Sequence, residues 1–300
     1  MPVLSAAARR RESWRRWLGA LAACAALAAG PALAKPPVWI VRSPTATLVL
    51  FGSVHLLPAG LDWRPAALDD ALAKADEVWF ELPIDAATDN QAAAAALARG
   101  GLPADRRLSA LMSPGDVEKL NQVALTVGCV PAALERMQPW MADLTLSVAD
   151  DAKAGADATS GVERQVQAIT PPGVRRRAFE TAGQQIEFLA GTPLKDQLAS
   201  LGWTLHEIEA DPLSYQRVVG EWMSGDLTGL QRDAVDPLKA ISPRLYDRLI
   251  GARNRRWAGI LTQRLRRRGS AVVVVGVGHL VGAQGLPALL RARGFQVEGP

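Results

Sequence analysis

Residues 270–279 read SAVVVVGVGH, with five consecutive apolar residues from Ala271 to Val275, four of them valine. β-Branched side chains suit a pleated strand, and a run apolar at both odd and even positions belongs in a sheet covered on both faces. The stretch therefore predicts a buried strand of an α/β layer. At its exit, Gly276 and Gly278 let backbone turn sharply and approach a ligand, and His279 follows Gly276 by three residues.

The same grammar stands near the other end, in LVLFGSVH (Leu48–His55), where Gly52 precedes His55 by three residues. The chain has three histidines. At an ordinary glycine frequency of ~7%, two of the three carrying this spacing arises by chance roughly once or twice in a hundred. Working outward, VWIVRS and ATLVLFG flank Ser43-Pro44-Thr45 as a hairpin. Leu68 and Leu72 mark a helix over 65–75, and EVWFELP follows as a buried strand. Toward the C-terminus, Ser242-Pro243 opens a helix that runs to Arg268 and stops at Gly269. A helix over Leu286–Arg293 and a strand FQVE close the chain.

Between these ends, residues 86–245 read as mainly helical. Ser113-Pro114-Gly115-Asp116 is a helix-start signal, further helices are expected near 132–150, 184–200 and 212–224, and a short strand near Arg177–Glu180. The fold class expected is α/β: a mixed sheet built from the N- and C-terminal segments of one domain, residues 35–300, with a helical cap at about 86–245 inserted in the middle.

Residues 1–34 stand apart. Five arginines (Arg9, Arg10, Arg11, Arg15, Arg16) precede an Ala-rich apolar stretch ending in Ala32-Leu33-Ala34, the pattern of a secretory signal cleaved before Lys35. The stretch is too short and too interrupted, by Gly30 and Pro31, for a spanning helix. The expected protein is periplasmic or secreted, with no transmembrane anchor after cleavage. The formal charge of +4 belongs to this segment: without its five arginines and Glu12, basic and acidic residues balance at 29 each. The basic charge thus gives no support for a nucleic-acid partner, and none is expected; the Arg264–Arg268 cluster reads as a solvated helix end. Without Cys24, Cys129 is the one remaining thiol, so no internal disulfide is expected, and Cys129 reads as a buried small hydrophobe.

Three strand-like runs end in a group able to bind metal or move protons: His55, Glu81 and His279. Ligands of α/β sheets bind beyond the carboxyl ends of the strands. Two imidazoles and a carboxylate form a three-ligand set with an open position, suited to manganese, cobalt, zinc or iron. Gly52, Gly276 and Gly278 are the glycines expected beside such a ligand. Arg253, in RNRRW, is a candidate electrostatic helper for catalysis, with pairing to a cap carboxylate as its structural alternative. Glu77 is expected to face solvent ahead of its strand, and His206 to be structural.

Several segments together resemble the TraB/GumN family: GSVHLLP, ADEVWFEL, Gly155-x-Asp157, Phe179-Glu180-Thr181 with Gln184-Gln185, Trp222-x-x-Gly225-Asp226, Arg253-Asn254-x-x-Trp257 and VVVVGVGHLVGAQGLPALLRARGFQV. The middle, at Ala158–Gly161 and Thr170-Pro171-Pro172-Gly173, fits that pattern loosely. The family is related to the Tiki metalloproteases acting on Wnt proteins and, more remotely, to erythromycin esterases and haem-binding ChaN-like proteins. The resemblance implies metal-dependent hydrolysis, of a peptide or small-molecule substrate, through His55, Glu81 and His279. Two other readings use the same cleft: a haem, iron or other ligand-binding protein, and a metal-free hydrolase with His55 as general base oriented by Glu81.

Overall fold

A computed structural model describes residues 35–300; the leader expected at residues 1–34 lies outside the described residues. Six strands form one sheet: β1 (Val38–Arg42), β2 (Ala46–Ser53), β3 (Glu77–Phe80), β4 (Arg175–Ala178), β5 (Gly269–Gly276) and β6 (Gln296–Glu298), in the order β4-β3-β5-β2-β1-β6. β1 and β2 make the expected antiparallel hairpin, and β6 adds antiparallel to β1. β4, β3, β5 and β2 run parallel.

The valine run lies at the heart of this arrangement. Ala271 to Val275 are each no more than 1% exposed. Because side chains alternate along a strand, Val272 and Val274 enter a core with Phe51, Trp63 and Trp222, while Val273 and Val275 enter another with Trp257, Ala258 and Leu261. The ends of the chain share one sheet, as the sequence predicts.

Helix α1 (Ala66–Ala73) links β2 to β3. A helical region follows, with α2 (Ala86–Gly100), α3 (Pro114–Thr126), α4 (Pro139–Lys153) and α5 (Val162–Ile169), then β4, then α6 (Ala182–Ala190), α7 (Leu194–Ala210) and α8 (Ser214–Ser224). Ser113 caps α3 through the Asp116 N–H, as its sequence signal requires. This cap has its own core of Leu120, Leu134, Leu146, Leu201 and Leu205, against which half-buried Cys129 packs. Residues 35–300 form one self-contained unit. No helix among the described residues is long and apolar enough to cross a membrane.

Four expectations need correction. The helix expected at 184–200 is two helices, because Pro193 cannot donate to a helical carbonyl and starts α7 instead. The edge strand lies at Arg175–Ala178, slightly before its expected place, so the middle supplies a strand as well as a cap. The helix from Ser242 is continuous but contains a π-helical turn, Asp247–Gly251, between Pro243–Tyr246 and α9 (Ala252–Leu265), and it ends before Arg268. Helix α10 (Leu286–Arg291) follows β5. Lastly, Glu77 does not face solvent: it opens β3 at 1% exposure.

Its carboxylate is held by Arg264 Nε at 3.1 Å, Arg175 Nη2 at 3.0 Å and Trp79 Nε1 at 3.0 Å. Burial alone would raise its pKa, but these donors hold it below the usual carboxylate range. Arg264, itself 4% exposed, depends on this partner, and breaking a buried pair strands the remaining charge. Glu77→Ala is expected to lower stability by about 3–5 kcal/mol in urea unfolding, and an unchanged midpoint would show that water compensates Arg264.

Candidate functional site

Because β2, β3, β4 and β5 are parallel, their exits lie at one end of the sheet. The chain leaves them at His55, Glu81, Glu180 and His279 respectively. Backbone bonds Phe179 N–H to Phe80 O (3.0 Å) and Glu180 N–H to Glu81 O (2.9 Å) carry the β3–β4 pairing beyond the strands and set the two glutamates side by side.

His279 sits in the 3₁₀ turn Val277–His279, 3% exposed, with its ring 4.5 Å from that of Trp257. Asn254 fixes its tautomer. The Asn254 amide nitrogen donates to the carbonyls of His279 (3.2 Å) and Gln284 (2.8 Å), so its oxygen accepts from His279 Nδ1–H at 2.6 Å. The Nε2 lone pair therefore points into the site, 3.1 Å from Arg253 Nη1 and 3.7 Å from Glu81 Oε1. Burial drives the His279 pKa down to about 3.

Glu81 is 7% exposed. Its Oε1 accepts the Gly276 N–H at 2.8 Å, and its Oε2 accepts Gln185 Nε2 at 3.1 Å and Arg253 Nη2. Burial opposes its ionisation, but His279, Arg253, His55 and the Gly276 N–H outweigh it and hold the carboxyl at about 2.

His55 is the open member, its side chain 67% exposed. Its Nδ1 lies 2.6 Å from Glu163 Oε1, and Ser53 Oγ donates to the same oxygen at 2.5 Å. Glu163 stands in the first turn of α5. That turn is seated on the His55 loop by Val162 N–H donating to Val54 O at 3.1 Å. Only glycine fits at position 161, where a Cβ would lie 2.1 Å from the His55 carbonyl oxygen. Asp157 builds the preceding turn by accepting Thr159 N–H at 2.8 Å and Ser160 Oγ–H at 3.2 Å. Glu163 was not legible from the sequence, since an acid in a first helical turn reads as a dipole partner.

Arg253 spends all five donors. Nε binds Glu180 (3.0 Å); Nη1 meets Leu249 O (2.9 Å) and His279 Nε2; Nη2 binds Glu81 and Glu180 (2.8 Å). Glu180, whose side chain is fully buried, also accepts from Arg256 Nη2 (2.5 Å) and Trp257 Nε1 (3.1 Å). Arg253 pairs with the Glu180 carboxylate, its expected structural role, and also touches Glu81 and His279.

Of the three glycines, Gly276 faces the site. A Cβ on it would lie 3.2 Å from Glu81 Oε1, 3.6 Å from His55 Nε2 and 3.7 Å from His279 Cδ2. Gly52 instead packs on Val277, where a Cβ would approach Cγ2 to 2.9 Å, and Gly278 faces Val235 and Ile250. His206 lies on an exposed face of α7, in the cap. A cleft of about 310 Å³ opens at His55 and Glu81, walled by Leu82, Asp89, Glu163 and Gln185.

The two imidazoles have opposite surroundings, and their titrations should diverge. The Glu163 carboxylate raises the His55 pKa to about 9; a raised pKa means stability present below its unfolded value near 6.5 and lost as pH climbs through 9. For His279 the sign reverses, with stability lost as pH falls from about 6.5 toward 3. NMR titration of metal-free protein should show His55 titrating near 9 and falling in Glu163→Gln, with His279 neutral to below pH 5; His55 at an ordinary value in wild type would refute the Glu163 pairing.

The geometry can be set beside known proteins. The chain is 28% identical over 243 residues to the uncharacterized protein YbaP of Escherichia coli (strain K12), spanning 81% of this chain and 87% of that one, and matches YbaP of Shigella flexneri to the same extent. No solved structure matches. The family model described as TraB/PrgY/gumN matches residues 37–299, a span that takes in all four strand exits, and the chain belongs to the TraB/PrgY/gumN family.

Proposed function

We propose that the chain is a metal-dependent hydrolase, a peptidase in its simplest form, with His55, Glu81 and His279 as its metal-binding groups. The observation that carries this reading is the cradle at Gly276, around which Glu81 Oε1, His55 Nε2 and the His279 ring converge. The donor chemistry fits. Each imidazole has its Nδ1 engaged by a side-chain oxygen, Glu163 or Asn254, the outer-shell pattern that presents Nε2 to a metal. Among the described residues, no three His, Cys, Asp or Glu side chains already stand as a closed metal shell; Arg253 Nη1 occupies the His279 Nε2 lone pair, so loading requires that contact to relax. A divalent ion bound there would supply Lewis acidity toward a carbonyl and toward water.

The chain's own residues do the rest. Glu163 holds the His55 ring by Nδ1 and leaves Nε2 facing the cleft. Arg253 and Gln185 fix Glu81 Oε2, so that Oε1 alone is presented. The cleft walls of Leu82 and Ile84 would receive an apolar side chain, while the Asp89–Arg164 pair (3.0 Å) forms a polar rim.

A second reading is favoured by the Arg253–His279 contact: a metal-free hydrolase with His55 as general base, oriented by Glu163 and not by Glu81 as the sequence suggested. Its base must lose a proton whose pKa Glu163 has raised, so kcat/KM would climb with pH toward about 9.

Residues 1–34 make the chain an exported protein in this proposal, and N-terminal sequencing of a periplasmic fraction should begin at or near Lys35. Retention of residues 1–34 in a membrane fraction would overturn export.

Protein purified without chelator should carry about one divalent ion per chain by elemental analysis, and His55→Ala, Glu81→Ala and His279→Ala should each lose it together with hydrolysis of a peptide library. Glu163→Gln and Asn254→Ala should weaken metal affinity by about 10–100-fold, and His206→Ala should change neither property. Hydrolysis that survives exhaustive chelation and tracks pH up to about 9 would replace the first reading with the second.

A further inference from the structure

The ends of the parallel strands opposite the candidate site form a basic face that the sequence keeps in two distant pieces. Arg175, Arg176 and Arg177 occupy β4, the sheet edge, and all three are exposed. Arg266, Arg267 and Arg268 follow α9 and are also exposed. Glu77 draws the two pieces together, since its carboxylate bonds Arg175 and Arg264 at once, at 3.0 and 3.1 Å, with Arg177 at 3.9 Å. Arg264 Nη2 also donates to Ser270 O at 3.0 Å, tying the end of α9 to the start of β5.

The acids available there do not balance this charge. Glu77 is buried and already shared among three arginines, and the exposed Asp76 is engaged by the Ser270 N–H at 2.7 Å. Arg266, Arg267 and Arg268 make no ion pair among the described residues.

An apolar tip stands beside the charges. The α5–β4 connection, Ile169-Thr170-Pro171-Pro172-Gly173, leads straight into the arginines of β4; Ile169 is 38% exposed and Pro172 is exposed. Arg176 holds this turn in shape by donating to the carbonyls of Thr170 (2.9 Å), Pro171 (3.4 Å) and Val174 (3.0 Å). A braced apolar turn flanked by arginines is the chemistry of the bilayer interface, where apolar groups enter the headgroup boundary and cations meet lipid phosphates. Single-stranded nucleic acid would call instead for aromatic stacking platforms, and among the described residues no Trp, Tyr or Phe is an exposed large hydrophobic.

We infer that this end of the sheet, formed by Ile169–Gly173, Arg175–Arg177 and Arg266–Arg268, docks peripherally on an anionic phospholipid surface. Parallel strand direction then fixes the orientation: the cleft at His55 opens at the opposite end of the sheet, away from the lipid. The inference is independent of the hydrolytic reading.

Vesicle sedimentation of residues 35–300, free of the basic leader, tests it. Wild type should bind vesicles of 30% phosphatidylglycerol in phosphatidylcholine, bind pure phosphatidylcholine weakly, and lose affinity as salt rises from 25 to 300 mM. Arg266→Gln/Arg267→Gln/Arg268→Gln should reduce the partition coefficient at least about tenfold. Ile169→Ser should reduce it severalfold without changing the salt dependence. Arg106→Gln/Arg107→Gln, exposed arginines of the cap, should leave it unchanged. Thermal unfolding of each variant confirms folding, and single Arg→Gln changes replace the triple if it melts early. Equal binding by wild type and the triple, an equal loss in the cap control, or indifference to Ile169→Ser with equal affinity for soluble heparin would each overturn the inference.

Discussion

Burial of β5 on both faces is the constraint from which the rest of the architecture follows. A strand apolar at every position must have a layer above and a layer below, and its backbone must be paired along both edges. β2 and β3 supply those edges, both parallel to it, and parallel neighbours require crossovers that return the chain to the same end. α1 makes the short crossover, and the helical region and α9 make the long ones. Once the strands share a direction, their exits share an end, and groups scattered from position 55 to position 279 meet without any local sequence signal linking them.

The site itself is organised by charge. Glu180 and Glu81 are buried anions, and their main compensating cation, Arg253, lies in a guanidinium plane that covers both while resting on the Phe188 and Trp257 rings at 5.3 and 4.7 Å. In so dry a setting each group depends on its partners, because a buried charge left alone costs several kcal/mol. The result is a graded pair of imidazoles: one buried against the Trp257 ring and neutral, the other open and charged through its glutamate.

The parts of this arrangement that were legible in the sequence are those written in local pattern. The valine run, the twin Gly-x-x-His segments and the Ser113 cap each state their structure within a few residues. Glu81 was legible because it ends a strand. Glu163, Asn254 and the burial of Glu77 were not, since their meaning lies in partners far along the chain: Ser53 and His55 for the first, His279 and Gln284 for the second, Arg175 and Arg264 for the third. A lone acid at the start of an element looks solvated until the fold delivers a cation to it. Likewise the Arg264–Arg268 cluster reads as a solvated helix end, whereas Arg264 is buried on Glu77 and only Arg266–Arg268 are exposed. The split of the expected 184–200 helix is a different lesson, because the Gly191-Thr192-Pro193 break was present in the sequence and local chemistry decided it.

The contact between Gly161 and the His55 carbonyl gives the cap a grip on the sheet through backbone alone. His55 continues from β2 on one side and on the other is held to α5 by its ring on Glu163 and by the Val162 N–H on the preceding carbonyl, Val54 O. His279 is held by β5 and α9, whereas Glu81 is held by the sheet, by α9 through Arg253 and by α6 through Gln185. Cap and sheet thus meet at His55, whose backbone continues from β2 while its ring is held by Glu163 of α5.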